Sequence, residues 1–215
     1  MGQPATDDPG EQDLLRRAAT GDDRCLAELF TRYRPRLRRM VKLRLDPRVQ
    51  GRVDPSDVVQ EAYLETARQL PGYVRDPKLP LFLWLRLVTG QQLALTHRRH
   101  LGVQARAAGR EISLFRGALP EASSAALAAQ LLGKMTSPSL AAAKAELKVQ
   151  IQEALNRMDA LDREVLTLRH FEHLTNAEVA AALDLTETAA SNRYVRALER
   201  LRGVLARTPG GAGGF

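Results

Sequence analysis

Three arginines near the C-terminus, Arg193, Arg196 and Arg200, stand three and four residues apart, the spacing that makes side chains neighbours on one helix face. A guanidinium presents N–H donors in a planar fork, so such a row suits anions and the acceptor-rich edges of flat rings. Ser191 and Asn192 beside it add groups that both donate and accept. The chemistry on offer is recognition of a charged polymer. A second row, Asp57, Gln60, Glu61 and Glu65, sets carboxylates at helical spacing in a stretch that is otherwise basic. Catalysis has no comparable support: there is no Gly-rich phosphate loop and no Ser or Cys nucleophile beside a base. His97 and His100, like His170 and His173, stand three apart, yet no cysteine or well-placed carboxylate completes a four-ligand set. The reading is therefore not an enzyme, with no metal and no cofactor.

Two short helices must position the arginines. Thr175 and Glu178 form a T-x-x-E capping box that starts the first. Val179, Ala180, Ala182 and Leu183 give it an apolar face, and Asp184 stands where a left-handed residue ends it. Thr186 caps the second helix, in which Ala190, Tyr194, Ala197, Leu198, Leu201 and Leu205 make one apolar stripe. This is the helix-turn-helix pattern, whose second helix enters the major groove of DNA. Ser191, Asn192, Val195 and Arg196 lie away from the stripe. An ordinary amphipathic helix pair with a solvated arginine face has the same pattern, so the rest of the chain has to decide.

The 215 residues carry a formal charge of +7, which makes nucleic acid the first partner to consider. The charge is uneven. Residues 29–100 hold fifteen Lys and Arg against six acids, +9, whereas residues 150–215 hold eight against nine, −1. Aromatic residues make up only 5%, which predicts small helical domains with Leu, Val and Ala cores. A single cysteine, Cys25, excludes an internal disulfide and is expected in the core. No apolar run is long enough for a membrane span and no signal peptide is visible, so a soluble, cytoplasmic protein without membrane insertion is expected.

Further helices read clearly in the first half. Asp13 caps a short one over 14–19, Gly21 ends it, and Asp22 or Asp23 opens the next, with Leu26, Leu29, Phe30 and Tyr33 on one face. Pro35 is expected to kink or end that helix. A third, over 36–45, is predicted to turn Leu37, Met40, Val41 and Leu45 inward and Arg36, Arg38, Arg39, Lys42 and Arg44 outward. Asp54-Pro55-Ser56-Asp57 starts a helix that runs to Leu70 and stops at Pro71-Gly72. Residues 72–80 are expected as a loop. The next helix opens on Leu81-Phe82-Leu83-Trp84-Leu85, and its Gln91, Arg98 and Arg99 are placed to reach a nucleic-acid backbone.

The blocks LFTRYRPRLRRMVKLRL, DPSDVVQEAYLETARQLPGY and FLWLRLVTGQQLALTHRR, followed after a linker by ALNRMDALDREVLTLRHFEHLTNAEVAAALDLTETAASNRYVRALERLR, resemble a bacterial RNA polymerase sigma factor of the extracytoplasmic-function (ECF) type. The most diagnostic part is Asp57-Val58-Val59-Gln60-Glu61 ahead of the Phe82-x-Trp84-Leu85 helix. The likeness covers about residues 12–100 and 140–203. It implies an all-α chain of two small helical domains joined by a flexible linker. These are a disordered leader at 1–11, sigma region 2 at 12–100, a linker at 101–139 with a short helix about 124–132, sigma region 4 at 140–207, and a disordered tail at 208–215.

The same resemblance implies roles. Asp57, Gln60 and Glu61 would face core RNA polymerase, giving the acidic row a basic partner, although a merely solvated face has the same composition. Region 2 would read and melt the −10 element, with Arg75, Asp76 and Lys78 in the loop and Gln91, Arg98 and Arg99 on the following helix. Trp84 is expected to be structural rather than a stacking platform. Region 4 would read the −35 element through Thr186, Ser191, Asn192, Arg193, Val195, Arg196 and Arg200. Here the sequence departs from the family pattern: Asp184 replaces the usual turn glycine, Ala189 and Ala190 replace threonine and valine, and Ser191 stands where a basic residue is frequent. Core polymerase and promoter DNA are the implied partners. The family also admits an anti-sigma factor, and no small-molecule substrate is implied.

Two other readings stay open on the sequence. A stand-alone helix-turn-helix regulator would bind duplex operator DNA as a dimer without polymerase. A helical scaffold would have no salt-dependent DNA affinity.

Overall fold

The computed structural model describes residues 9–101, 119–133 and 141–205, and among them all regular structure is helical. Most of the expected leader and all of the expected tail lie outside the described residues, as do 102–118 and 134–139 of the expected linker. The chain divides into two compact units, Met1–Pro120 and Glu121–Phe215.

Among the described residues the first unit packs four helices. α1 (Pro9–Ala19) starts earlier than its Asp13 cap would have placed it, and Gly21 at φ +99 turns the chain into the next helix. α2 (Asp23–Arg44) is capped by Asp22, whose side chain accepts the backbone N–H groups of Arg24 and Cys25. Cys25 itself is buried. The sequence reading divided this segment at Pro35; the structure corrects it to one helix of 22 residues. A proline inside a helix costs about 3 kcal/mol. Pro35, however, is exposed, while Leu29 and Phe30 before it and Leu37, Met40 and Val41 after it share one buried face. Keeping that face in register outweighs the lost hydrogen bond.

α3 (Pro55–Arg75) begins as expected, with Asp54 Oδ1 accepting the Ser56 N–H at 2.6 Å and Pro55 at its first position. It does not stop at Leu70. The helix passes through Pro71 and Gly72 because Tyr73 anchors its last turn: the ring stacks on Trp84 with centroids 4.2 Å apart, and the hydroxyl donates to the Leu79 carbonyl at 2.9 Å. The loop is correspondingly shorter, residues 76–80. Trp84 is buried in this stack and is structural, as expected.

α4 (Leu81–Leu101) is buried nearly all round in its first half. Arg44 was expected outward; it is only 2% exposed, and its Nη1 donates to the Pro120 carbonyl at 2.9 Å. A charge buried this deeply is tolerated because it is hydrogen-bonded. Arg36 also turns back, its guanidinium carbon 3.4 Å from the Phe82 ring centroid, whereas Arg38, Arg39 and Lys42 stay exposed. Gly90 leaves a notch in α4 that Leu119 fills; a Cβ at position 90 would fall 1.4 Å from Leu119 Cδ2.

In the second unit, α5 (Ser124–Gly133) falls inside the expected linker. It packs on α6 (Ala141–Asn156), burying Leu127, Ala128, Leu131 and Leu132, and Ser124 Oγ hydrogen-bonds Asn156 Oδ1 at 2.7 Å. α7 (Ala160–Leu166) is capped by Asp159 and runs into one π-helical turn, Thr167–Phe171. α8 (Asn176–Leu183) and α9 (Glu187–Leu205) complete the unit.

Candidate nucleic-acid interface

The turn between α8 and α9 is held by polar groups whose positions the local sequence dictates. Thr175 Oγ1 accepts the Glu178 N–H at 3.1 Å while Glu178 Oε2 accepts the Thr175 N–H at 2.7 Å, the full capping box. Asp184 closes α8 at φ 53 and ψ 51, a left-handed conformation that Asp tolerates better than most residues. Thr186 Oγ1 accepts the Ala189 N–H at 3.1 Å and so starts α9. Asn176 bridges the two helices by donating from its amide to the Glu187 carbonyl at 2.8 Å. The helix-turn-helix read from the sequence is therefore present in the fold.

α9 has two faces. Ala190, Ala197 and Leu201 are buried, and the helix packs on α6, α7 and α8. Tyr194 and Leu198, placed on the same stripe, are half-buried, and the Arg169 guanidinium lies 5.1 Å from the Tyr194 ring centroid. On the opposite face Thr186, Ser191, Asn192, Val195, Arg196 and Arg200 are exposed. Val195 is 48% exposed, an uncommon cost for a branched apolar side chain, and with Ala189, Asn192, Arg193 and Arg196 it lines a shallow open depression. The surface combines cations, an amide, a hydroxyl and an apolar spot. That is the repertoire that reads base edges, methyl groups and phosphates.

Arg193 differs from its neighbours. Its Nη1 lies 2.6 Å from Asp162 Oδ1 and 3.4 Å from Asp159 Oδ1, so the side chain is turned toward α7. Arg196 Nη2 stands 3.6 Å from the same Asp162 oxygen, an ion pair without a hydrogen bond. Sequence reasoning missed both carboxylates. Asp159 had a signal, as an Asp in a helix-cap position; Asp162, 31 residues before Arg193, had none.

In the first unit, Asp57 and Gln60 are exposed on α3, and Leu64, not anticipated, extends their row by one turn as an exposed apolar side chain. Its signal was the spacing 57, 60, 61, 64. Glu61 belongs to the row but is also paired: its carboxylate oxygens lie 3.0 and 3.2 Å from Arg99 Nη1 on α4. The six residues expected at the −10 element form two groups. Arg75, Asp76 and Lys78 are exposed where α3 gives way to the loop, with Lys78 Nζ 3.3 Å from Asp76. Gln91, Arg98 and Arg99 are exposed on the second half of α4. At 1.5 Å per residue, Arg98 stands about 25 Å along the helix from Leu81. The two groups thus stand apart along the unit.

Two titratable groups brace this end of α4. His97, half-buried, accepts the Asp46 N–H on Nε2 at 3.1 Å, and burial lowers its pKa. The Asp46 carboxylate, bonded by the side chain and N–H of Arg48, is lowered to about 2. Among the described residues no three His, Cys, Asp or Glu side chains gather as a metal would need, and no helix is long and apolar enough to cross a membrane.

Comparison with known proteins completes the picture. Residues 148–201 match the family described as Sigma-70, region 4. Over 189 residues the chain is 30% identical to the ECF RNA polymerase sigma factor SigD of Mycobacterium tuberculosis, spanning 88% of this chain and 81% of that protein. It is 26% identical over 200 residues to the RNA polymerase sigma factor NccH of Alcaligenes xylosoxydans xylosoxydans, spanning 93% and 97%. In fold it is similar to CnrH, solved in complex with the cytosolic domain of CnrY, with a TM-score of 0.53, 20% identity and 92% and 97% of the two chains covered.

Proposed function

The chain belongs to the extracytoplasmic-function sigma factors of RNA polymerase, and from that premise we propose how its two units divide the work of transcription initiation. As a sigma factor it binds core polymerase and directs initiation at promoters. In the proposed division the first unit carries region 2, meeting core through Asp57, Gln60 and Glu61 and the −10 element through the groups around Lys78 and Arg98. The second unit carries region 4 and reads duplex DNA at the −35 element.

One observation carries this reading. The exposed face of α9, from Thr186 through Asn192 and Arg196 to Arg200, is polar and cationic, while Ala190, Ala197 and Leu201 fix the opposite face in the core. A helix held by one side and so furnished on the other has the form of a recognition helix.

Tethering two modules in one chain raises the local concentration of the second once the first has bound, so two weak DNA contacts combine into a useful affinity.

Run-off transcription from a cognate promoter, with core enzyme in the presence and absence of the chain, tests the reading. Transcripts that depend on both establish it. Tight binding of duplex operator by the chain alone, as a dimer and without stimulation of core, would replace it with a stand-alone regulator.

A further inference from the structure

Asp162 faces the recognition helix from α7 with its side chain only 5% exposed. Its Oδ1 is 2.6 Å from Arg193 Nη1 and 3.6 Å from Arg196 Nη2, so one oxygen serves two arginines one helical turn apart. Asp162 is itself fixed, because its backbone N–H donates to Asp159 Oδ1 at 3.2 Å, and that same oxygen lies 3.4 Å from Arg193. The outcome is unequal. The Arg193 side chain is drawn in to 28% exposure, whereas that of Arg196 remains 57% exposed and is bound only by the longer ion pair.

Resting on the reading that α9 contacts duplex DNA, we propose that Asp162 is a positioning residue: it withdraws Arg193 from the DNA face and orients Arg196 as the guanidinium that meets a base. Arg193 could reach a phosphate only by leaving a nearly buried carboxylate without its hydrogen bond, and stranding a buried charge is strongly unfavourable. DNA therefore gains little by recruiting it. Arg196 loses no donor to a short hydrogen bond, yet the nearby carboxylate limits where its guanidinium swings. A side chain restrained before binding gives up less freedom on contact, and it meets one base edge better than the alternatives.

The test uses holoenzyme assembled from core polymerase and the full chain, with promoter DNA in which the −35 base pairs are changed one at a time. Affinity is measured against salt concentration for wild type, Arg193→Gln and Asp162→Asn. Arg193→Gln keeps a hydrogen-bond donor for Asp162 and should leave the slope of log K against log salt unchanged; a lost phosphate contact would reduce it by about 0.9. Asp162→Asn should steepen that slope by about 0.9 as Arg193 becomes free to reach the backbone. It should also cut discrimination at the base pair read by Arg196 by about fivefold or more. Melting and holoenzyme assembly, followed in parallel, report whether Asp162→Asn folds. If it does not, the Arg193→Gln slope decides alone.

A reduced slope for Arg193→Gln overturns the proposal, and so does a folded Asp162→Asn with slope and discrimination both unaltered. Wild-type holoenzyme indifferent to every −35 substitution would remove the DNA-reading assignment of α9 and this proposal with it. That failure is distinct, because it appears before any variant is made.

Discussion

Glu61 on α3 accepts both of its hydrogen bonds to α4 from a single nitrogen, Nη1 of Arg99, at 3.0 and 3.2 Å. The acidic row and the basic end of α4 thus meet through one ion pair, with side chains 41% and 57% exposed. Pairs of this exposure are worth about 0.2 to 1 kcal/mol. Glu61 can therefore exchange Arg99 for another cation at small cost to the fold.

The first prediction follows from that. The double variant Asp57→Lys with Glu61→Lys is expected to abolish holoenzyme formation, since breaking one side of a desolvated charge pair at an interface costs about 2 to 5 kcal/mol. Its thermal midpoint should fall by no more than about 4 to 8 °C, the equivalent of 1 kcal/mol in a domain of this size. Pull-down on core polymerase alongside a circular-dichroism melt measures both, and undiminished capture of core would refute the assigned role.

Arg196→Ala should relax promoter choice more than it weakens binding. An arginine that grips guanine bidentately supplies about 1 to 3 kcal/mol of discrimination at one base pair. Transcription from templates with single −35 substitutions will show that loss at one position. A uniform loss across all templates, with a shallower salt dependence, would make Arg196 a phosphate contact instead.

Leu119 and Gly90 are expected to be energetically coupled. Gly90→Ala places a methyl group where Leu119 Cδ2 now lies, so it should destabilise the first unit despite the better helix propensity of alanine. Combined with Leu119→Ala the clash disappears. The double variant should be more stable than the two single changes predict, by about 0.5 to 3 kcal/mol, measured by denaturant unfolding of the four corners of the cycle. Additive effects would mean that Leu119 does not occupy the notch.

Stability of the first unit should depend on pH through His97. Burial lowers its pKa below the usual value near 6.5, and its bond to the Asp46 N–H requires a neutral Nε2. Below pH 6.5 the unfolded chain takes up the proton more readily than the folded one. The contribution of His97 is thus complete above 6.5 and is lost as pH falls through the lowered value. His97→Gln, which retains an acceptor without titrating, should flatten the melting temperature between pH 7.5 and 5. Asp22 and Asp46, each lowered to about 2, act in a separate, more acidic window below pH 4. In Asp22 the leading cause is the hydrogen bond from the Cys25 thiol, followed by that from Arg17.

What was legible in the sequence was legible for local reasons. Asp22, Asp54, Thr175 and Thr186 cap helices because their short polar side chains reach N–H groups two or three residues on, Glu178 reaches back to the Thr175 N–H, and no distant part of the chain is needed for that. The alternation of Ala190, Ala197 and Leu201 with Ser191, Asn192 and Arg196 likewise decided by itself which side of α9 is buried.

Where local rules misled, a long-range contact had overruled them. Pro35 and Pro71 read as helix ends, yet a shared buried face carries α2 past one, and the Tyr73 stack on Trp84 holds α3 beyond the other. Arg44 read as one more outward cation until Pro120, 76 residues later, supplied a carbonyl for it. A helical wheel places Arg193 nearer the buried stripe than Arg196, but it does not show that Asp162 approaches from α7 and pairs most closely with Arg193. The sequence alone determined which residues could cap, face the core or carry charge, since those properties depend on neighbours within one helical turn. Which of the charges remain available for DNA or polymerase was decided by the tertiary structure, because an ion pair depends on distances that only packing between helices sets.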